Sequence, residues 1–143
     1  MTAQGLEVID HSVQLAHEWI NELAERLDWS SKRNAMRLMR ITLARVRDHL
    51  MPDEVAQLSA QLPLLIRGFF FEGWIPKKTP IKERHVEDFM AFIGTKMDDV
   101  QEYRGQADIK CVFDLLNARI SRGEVEDVRA SLPADLRAMW DAP

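Results

Sequence analysis

Apolar residues recur at helical spacing along the first half of the chain. Between Val13 and Leu27 they fall three or four positions apart, and Glu18, Glu22 and Glu25 occupy a different face. The same period returns from Arg33 to Leu50, after two serines that are suited to cap a helix. The pattern predicts two long amphipathic helices, each with one face that must be buried.

Prolines divide the stretch that follows. Pro52 precedes two acidic residues, which is typical of a helix start, and predicts a short third helix to about Gln61. Pro63 fits the first turn of a fourth helix that ends in an aromatic run. Residues 73–80, GWIPKKTP, contain two prolines and no period. They predict a connector.

The two halves of the sequence resemble each other. A shift of 70 residues places residues 18–70 on 88–140 without a gap and keeps the apolar pattern of the long helices. Seven of these 53 pairs are identical, at Asp28, Glu54, Val55, Ala60, Leu62, Pro63 and Arg67. A repeated helical unit cannot bury its apolar face alone, so its duplicate is the expected partner.

This arrangement predicts an all-α fold, a pseudo-symmetric helical bundle built from two tandem helical repeats offset by 70 residues. We expect residues 1–143 to form a single domain. Repeat one spans about 10–74, the connector about 73–80 and repeat two about 81–143. Two such units can share one core or form two abutting cores.

The composition fits this picture and narrows the partners. A chain of 143 residues with 46% hydrophobic residues can bury a core without disulfides. Its net charge of -4 is evenly divided and gives no polybasic arm. The first residues lack a basic start and are interrupted by Glu7 and Asp10, so they do not predict an export signal. With the lone Cys111, this pattern favours a cytoplasmic protein.

The segment from Leu62 to Met90 carries a distinctive run of residues. It reads LPLLIRGFFFEGWIPKKTP at its start, and SLPADLRAMW near the end of the chain repeats its first motif. The segment resembles a bacterial family catalogued as domain of unknown function 2267, at Leu62, Pro63, Arg67, Gly68, Phe69, Phe70, Glu72, Gly73, Trp74, Pro76, Thr79 and Pro80. The resemblance implies an all-helical fold and supplies no catalytic residue.

Four arginines of the second helix form a basic stripe. Arg33, Arg37, Arg40 and Arg47 fall on one side at about 100° per residue. The stripe is a candidate site for an anion or a nucleic acid. The simpler interpretation is that acidic residues of the first helix neutralise it, namely Glu18, Glu22 and Glu25. Because the net charge is negative, we expect nucleic acid to be an unfavoured partner.

The aromatic run predicts an interaction surface. Phe69, Phe70, Phe71 and Trp74 cannot all face the core, because consecutive helical residues point about 100° apart. Gly73 can end the helix and turn Trp74 back against the bundle as a clamp between the repeats. Phe71 is then the exposed member. We expect a protein-binding surface at Phe71, Lys77 and Lys78.

The sequence offers no recognisable catalytic or metal motif. The four histidines form neither HExxH nor ExxH, and Cys111 lies in an apolar stretch that favours inert packing. Gly68 and Gly73 belong to the aromatic run and not to a phosphate loop. We therefore expect no metal, no cofactor, no membrane contact and no small-molecule substrate. The leading interpretation is a non-enzymatic module that binds another protein or itself; an enzyme assembled from distant residues stays open.

Overall fold

The computed structural model describes residues 6–143; part of the segment inspected for an export signal, residues 1–5, lies outside them. The described part contains eight α-helices, one short 3₁₀ helix and no strand, as the all-α prediction requires. None of these helices is both long and apolar enough to cross a bilayer. In chain order the helices are α1 Glu7–Leu27, α2 Lys32–Asp48, α3 Pro52–Ser59, α4 Leu64–Phe71, the 3₁₀ helix Pro76–Lys78, α5 Val86–Lys96, α6 Gln106–Arg119, α7 Arg122–Ser131 and α8 Ala134–Met139.

Local sequence explains most of the helix ends. Ser31 caps α2 by accepting a hydrogen bond from the Asn34 amide at 3.1 Å. Asp28 takes the left-handed conformation that ends α1, with φ of 58°. Two boundaries differ from the prediction. The first helix begins at Glu7, before the apolar period is visible, and Pro63 lies just before α4 instead of in its first turn.

The helices pack around one contiguous apolar core. Helices α1, α2 and α6 contact one another, α5 packs on α2, and α4 covers α1 and α2. At the other end α3 packs on α7, and α8 packs on α5. The faces predicted to be core are confirmed as buried, at Met39, Leu43, Val46, Leu50, Phe113, Leu116 and Ile120.

The connector is longer than the sequence predicts. It contains the 3₁₀ helix, and the chain stays non-helical up to His85, where α5 begins. The Thr79–Pro80 peptide bond is cis. Just beyond it the Ile81 amide donates to the Asp48 carbonyl at 2.8 Å, which holds the connector against the end of α2.

Candidate functional site

The exposed face of α2 carries three of the four stripe arginines. Arg33 is exposed and forms no ion pair within residues 6–143. Arg37 and Arg40 are half-exposed, and each meets an acid from another element. The Arg37 Nη2 atom lies 2.9 Å from Asp99 Oδ1, and Arg40 is hydrogen-bonded to Glu72. Two of the three arginines therefore already have an intramolecular counter-ion.

The expected counter-ions were wrong. Glu22 of α1 is hydrogen-bonded to Arg26 and Arg119 instead, with the closest Nη2 atoms 2.9 Å and 2.7 Å away. Partial burial raises the pKa of Glu22, but the hydrogen bonds from these two arginines outweigh it and leave the pKa below its ordinary value. This acidic face points toward α6 because α1 packs along that helix, so it does not reach the exposed face of α2.

Arg47 does not belong to the solvent-facing stripe. Only 4% of it is exposed, and its Nη1 donates to the carbonyls of Phe70 at 2.8 Å and Glu72 at 3.0 Å. Arg47 follows the buried Leu43 by four positions, so it lies about 40° from the core-facing direction. Its guanidinium joins α2 to the end of α4 and is occupied by the protein itself.

A groove of about 240 Å³ runs between α2, α4 and α5, and we call it the α2–α5 groove. Four half-buried apolar side chains form its floor: Ile41, Ala44, Phe69 and Phe92. Charged side chains form its rim: Arg37, Arg40, Glu72 and Lys96. Three helices distant in sequence meet here, which gives the groove an apolar interior and a mostly cationic edge.

Cations lie directly on the two aromatic rings. The Arg40 guanidinium is 4.7 Å from the centre of the Phe69 ring. On Phe92, Arg45 lies 3.8 Å and Lys96 5.1 Å from the ring centre. These distances fall within the range of cation–π attraction, so the cations are held over the rings. The groove continues past Arg37 and Arg40 into a polar depression of about 600 Å³, lined also by Ser31, Arg33, Asn34, Met36 and Asp99.

The predicted protein-binding residues lie together on the connector. We define the connector surface as Phe71, Trp74, Ile75, Lys77 and Lys78. The rings of Phe71 and Trp74 pack with their centres 5.7 Å apart, and both side chains are half-buried, so Phe71 is not the more exposed ring. Lys77 and Lys78 are exposed and form no ion pair with any residue of the described part.

The indole of Trp74 finds its acceptor within the connector. Its Nε1–H donates to Thr79 Oγ1 at 3.2 Å, and Thr79 Oγ1 in turn donates to the Pro76 carbonyl at 3.0 Å. Trp74 therefore fastens the connector to the end of α4.

A polar cleft of about 500 Å³ lies beside the connector, and His49 forms part of its wall. The His49 Nε2 atom is 3.0 Å from Glu83 Oε1, and Arg45 Nη2 donates to the other oxygen of Glu83 at 2.7 Å. Burial lowers the pKa of His49, although Glu83 opposes this effect, so the neutral ring is favoured. A neutral ring donates from Nε2 to the Glu83 carboxylate. The triad holds the connector on α2.

Two further features bear on chemistry. Burial, followed by the nearby Asp108, raises the pKa of the Cys111 thiol and disfavours the reactive thiolate. His85, Glu87 and Asp135 bring one ligand-type atom each within 4.8 Å of one another, and all three side chains are exposed. Exposed side chains of this kind have water as an alternative partner and give a metal no preorganised cage.

Residues 16–139 match the family described as an uncharacterized conserved protein, DUF2267. The chain belongs to this family. Its match covers both halves of the DUF2267 chain, including the basic face of α2 and the whole connector. No curated protein matches the chain.

Sequence reasoning missed the α2–α5 groove in this DUF2267 chain. Phe92 belongs to α5 and was treated as part of an apolar run, although an aromatic residue stands there where the other half has Glu22. That mismatch within the 70-residue alignment was the available signal. It indicated a position where an aromatic ring is free to face outward.

Proposed function

We propose that this chain is a non-enzymatic, cytoplasmic interaction module that binds another protein or a second copy of itself through the connector surface. One observation carries the proposal. Lys77 and Lys78 stand exposed, without an acidic partner in the described part, beside the ring pair of Phe71 and Trp74. The free thiol of Cys111 fits a reducing compartment.

The chemistry of the connector surface fits a protein partner. Aromatic side chains are enriched in the centres of protein interfaces, and Ile75 adds an apolar side chain that is 45% exposed. Two unpaired ammonium groups attract an acidic face and repel a basic one. The partner that fits is therefore a surface with apolar side chains next to carboxylates.

We also propose that the two halves are tandem repeats of one helical unit. In support, α3 begins at Pro52 and α7 at Arg122, while α4 begins at Leu64 and α8 at Ala134, so both pairs start 70 residues apart. Helices in matching positions also contact each other, α2 with α6 and α3 with α7. Contacts between matching elements are typical of two units that face each other about a pseudo-twofold axis.

Two arginines support the same proposal in atomic detail. Each donates its Nε to the carbonyl eight residues earlier and its Nη2 to the carbonyl five residues earlier. The distances are 2.8 Å and 3.1 Å for Arg67, and 2.9 Å and 2.9 Å for Arg137. Pairs of buried residues lie at the same offset, among them Trp19 and Phe89, Leu43 and Phe113, Val55 and Val125, and Phe70 and Trp140.

The pairing of polar groups in the cleft supports a role without catalysis. His49 directs Nε2 to Glu83, and the Ser131 hydroxyl is hydrogen-bonded to Glu54. A nucleophile and a base must lie within hydrogen-bond reach of each other, whereas these two groups bond to separate carboxylates. An enzyme built in the cleft is the alternative if a substrate of unknown class displaces these pairs.

Anion or nucleic-acid binding by the basic stripe is the other alternative. It rests on Arg33, together with Arg37 and Arg40, because Arg47 is buried. Asp99 and Glu72 already neutralise two of these cations, so the attraction for a polyanion is small.

A pair of charge reversals tests the proposal against this alternative. Lys77→Glu/Lys78→Glu reverses the connector surface, and Lys32→Glu/Arg33→Glu reverses the same number of charges at the start of α2. Both variants should unfold at the wild-type temperature, because exposed substitutions usually change stability by less than about 0.5 kcal/mol. Sedimentation velocity measures self-association, and affinity capture from a lysate measures bound protein and nucleic acid.

We expect the connector reversal to abolish the association seen with the wild-type chain and the α2 reversal to retain it. Loss of bound protein from the α2 reversal alone removes the connector surface from the proposal. Captured nucleic acid that disappears in the α2 reversal supports the anion-binding alternative.

A further inference from the structure

The α2–α5 groove combines an apolar floor with a cationic rim. Phe69 and Phe92 present half-buried rings to it, and Arg40 and Lys96 lie over those rings. It is separate from the connector surface, because Phe69 and Phe71 stand two positions apart on α4 and so point about 200° apart. A ligand in the groove therefore does not cover Phe71.

The size of the groove indicates what it accommodates. Its volume of about 240 Å³ is below the roughly 300–1,000 Å³ of typical small-molecule pockets, so one large side chain fills it. The adjoining depression of about 600 Å³ is open and polar, and it shares Arg37 and Arg40 with the groove. The residues that flank such a side chain have room along α2.

The charges of the rim favour an acidic segment. Arg33 and Lys96 form no ion pair within residues 6–143. Arg37 and Arg40 are paired, but the side chains of Asp99 and Glu72 are 66% and 65% exposed. Exposed ion pairs contribute little stability, so a ligand carboxylate can replace either acid at small cost.

We propose that the α2–α5 groove binds a segment of another protein that carries one large apolar side chain between acidic residues. The apolar side chain packs against Phe69 and Phe92, and the flanking carboxylates bond to Arg37, Arg40 and Lys96. This surface is independent of the connector surface and remains if the connector binds nothing.

Capped peptides test the proposal on the full chain. The probe is Asp-Asp-Phe-Asp-Asp, compared with Asp-Asp-Ala-Asp-Asp and Lys-Lys-Phe-Lys-Lys, and binding is followed by backbone amide shifts in NMR spectra. We expect the probe to shift the amides of Ile41, Ala44 and Phe92. Burial of the phenyl ring should make it bind about tenfold more tightly than the alanine peptide, and the lysine peptide should not bind.

Two variants and a control locate the site. Ala44→Glu places a bulky anion in the groove and should abolish binding of the probe. Ala118→Glu makes the same change on an exposed position of α6 and should leave binding unchanged. Glu72→Gln releases Arg40 and should tighten binding about two- to fivefold. Retained amide spectra outside the groove show that each variant is folded.

Three results overturn the proposal. Equal affinity for the phenylalanine and alanine peptides means that charge alone attracts them. Shifts confined to the connector, or binding that survives in Ala44→Glu, place the peptide elsewhere. Binding of free 3-phenylpropionate as tight as that of the probe assigns the groove to small aromatic acids instead of a protein segment.

Discussion

The α2–α5 groove and the face of α1 on α6 lie 70 residues apart in sequence and carry different chemistry. Phe92 and Lys96 line the groove, and Glu22 and Arg26 occupy the corresponding positions of α1. On that second face Glu22 bonds to Arg26 and to Arg119, so its charged groups satisfy one another. The first face leaves an aromatic ring accessible, whereas the second closes with ion pairs.

The difference teaches where the two halves are constrained. The interior positions keep apolar side chains at the 70-residue offset, as with Leu23 and Ile93 or Leu27 and Met97, because a cavity or a polar group there costs several kcal/mol. Exposed positions carry no such cost. The frame is therefore shared, and a binding surface can exist on one half alone.

The strongest test of the shared frame removes its two largest matched side chains. Phe70→Ala and Trp140→Ala should each lower the free energy of unfolding by about 3–5 kcal/mol, as aromatic-to-alanine changes in cores do. Trp140 should cost more, because it stacks on Phe113 at 4.5 Å and donates Nε1–H to Asn117 at 2.8 Å. Urea denaturation measures both values, and the exposed Ile75→Ala serves as control.

If one of these core variants costs less than about 1 kcal/mol, its half of the bundle is not held as described. The comparison of the halves then fails at the core and not at the surface.

The two arginine-bonded turns give a smaller effect. Arg67→Met should cost about 1–3 kcal/mol, because it leaves the Ser59 and Leu62 carbonyls without their donors. Arg137→Met should cost about 0.5–1 kcal/mol, since Arg137 is exposed and water can replace it. Thermal unfolding of the single variants and of the double variant measures the difference. A larger loss at Arg137 than at Arg67 contradicts the burial argument.

The periodicity of the sequence predicted the fold because burial of an apolar stripe is a local requirement. Met39, Leu43 and Val46 are buried for that reason. The start of α1 escaped prediction, since Val8 and Ile9 extend from the bundle and are exposed. No local pattern marks a turn of helix that packs on nothing.

The candidate site was less predictable because its contacts are long-range. Arg37 and Asp99 are 62 residues apart, and Arg40 and Glu72 are 32 apart, so helical spacing carries no information about them. Arg47 is different. Its position four residues after Leu43 was visible in the sequence and indicated burial, but the charge of the side chain led to the opposite expectation.

A pH titration distinguishes the halves at the ends of α2 and α6. His49 has a lowered pKa, chiefly through burial and against the effect of Glu83, with Arg45 and Asp48 also nearby. The unfolded chain therefore takes up this proton first. Stability should fall as the pH decreases below about 6.5, by at most about 1.4 kcal/mol per pH unit, until His49 protonates in the folded state as well.

His49→Gln should flatten this part of the stability profile, and the exposed His17→Gln should leave it unchanged. The position 70 residues after His49 is Arg119, which stays charged and adds no dependence. Urea denaturation between pH 5 and 7.5 measures the slopes. Equal slopes in wild type and His49→Gln rule out His49 as the cause.

The smallest expected effect concerns a residue that is identical in both halves. Asp28 has a φ of 58°, whereas Asp98 is not among the positive-φ residues of the described part. Glycine adopts the left-handed conformation without strain but loses more backbone entropy on folding. Asp28→Gly should therefore raise the free energy of unfolding by about 0.5 kcal/mol, and Asp98→Gly should lower it by about 0.5–1 kcal/mol. Opposite signs in urea denaturation sharpen the comparison, because one identical residue then holds two backbone conformations; a loss of stability at both positions contradicts the assignment of strain to Asp28.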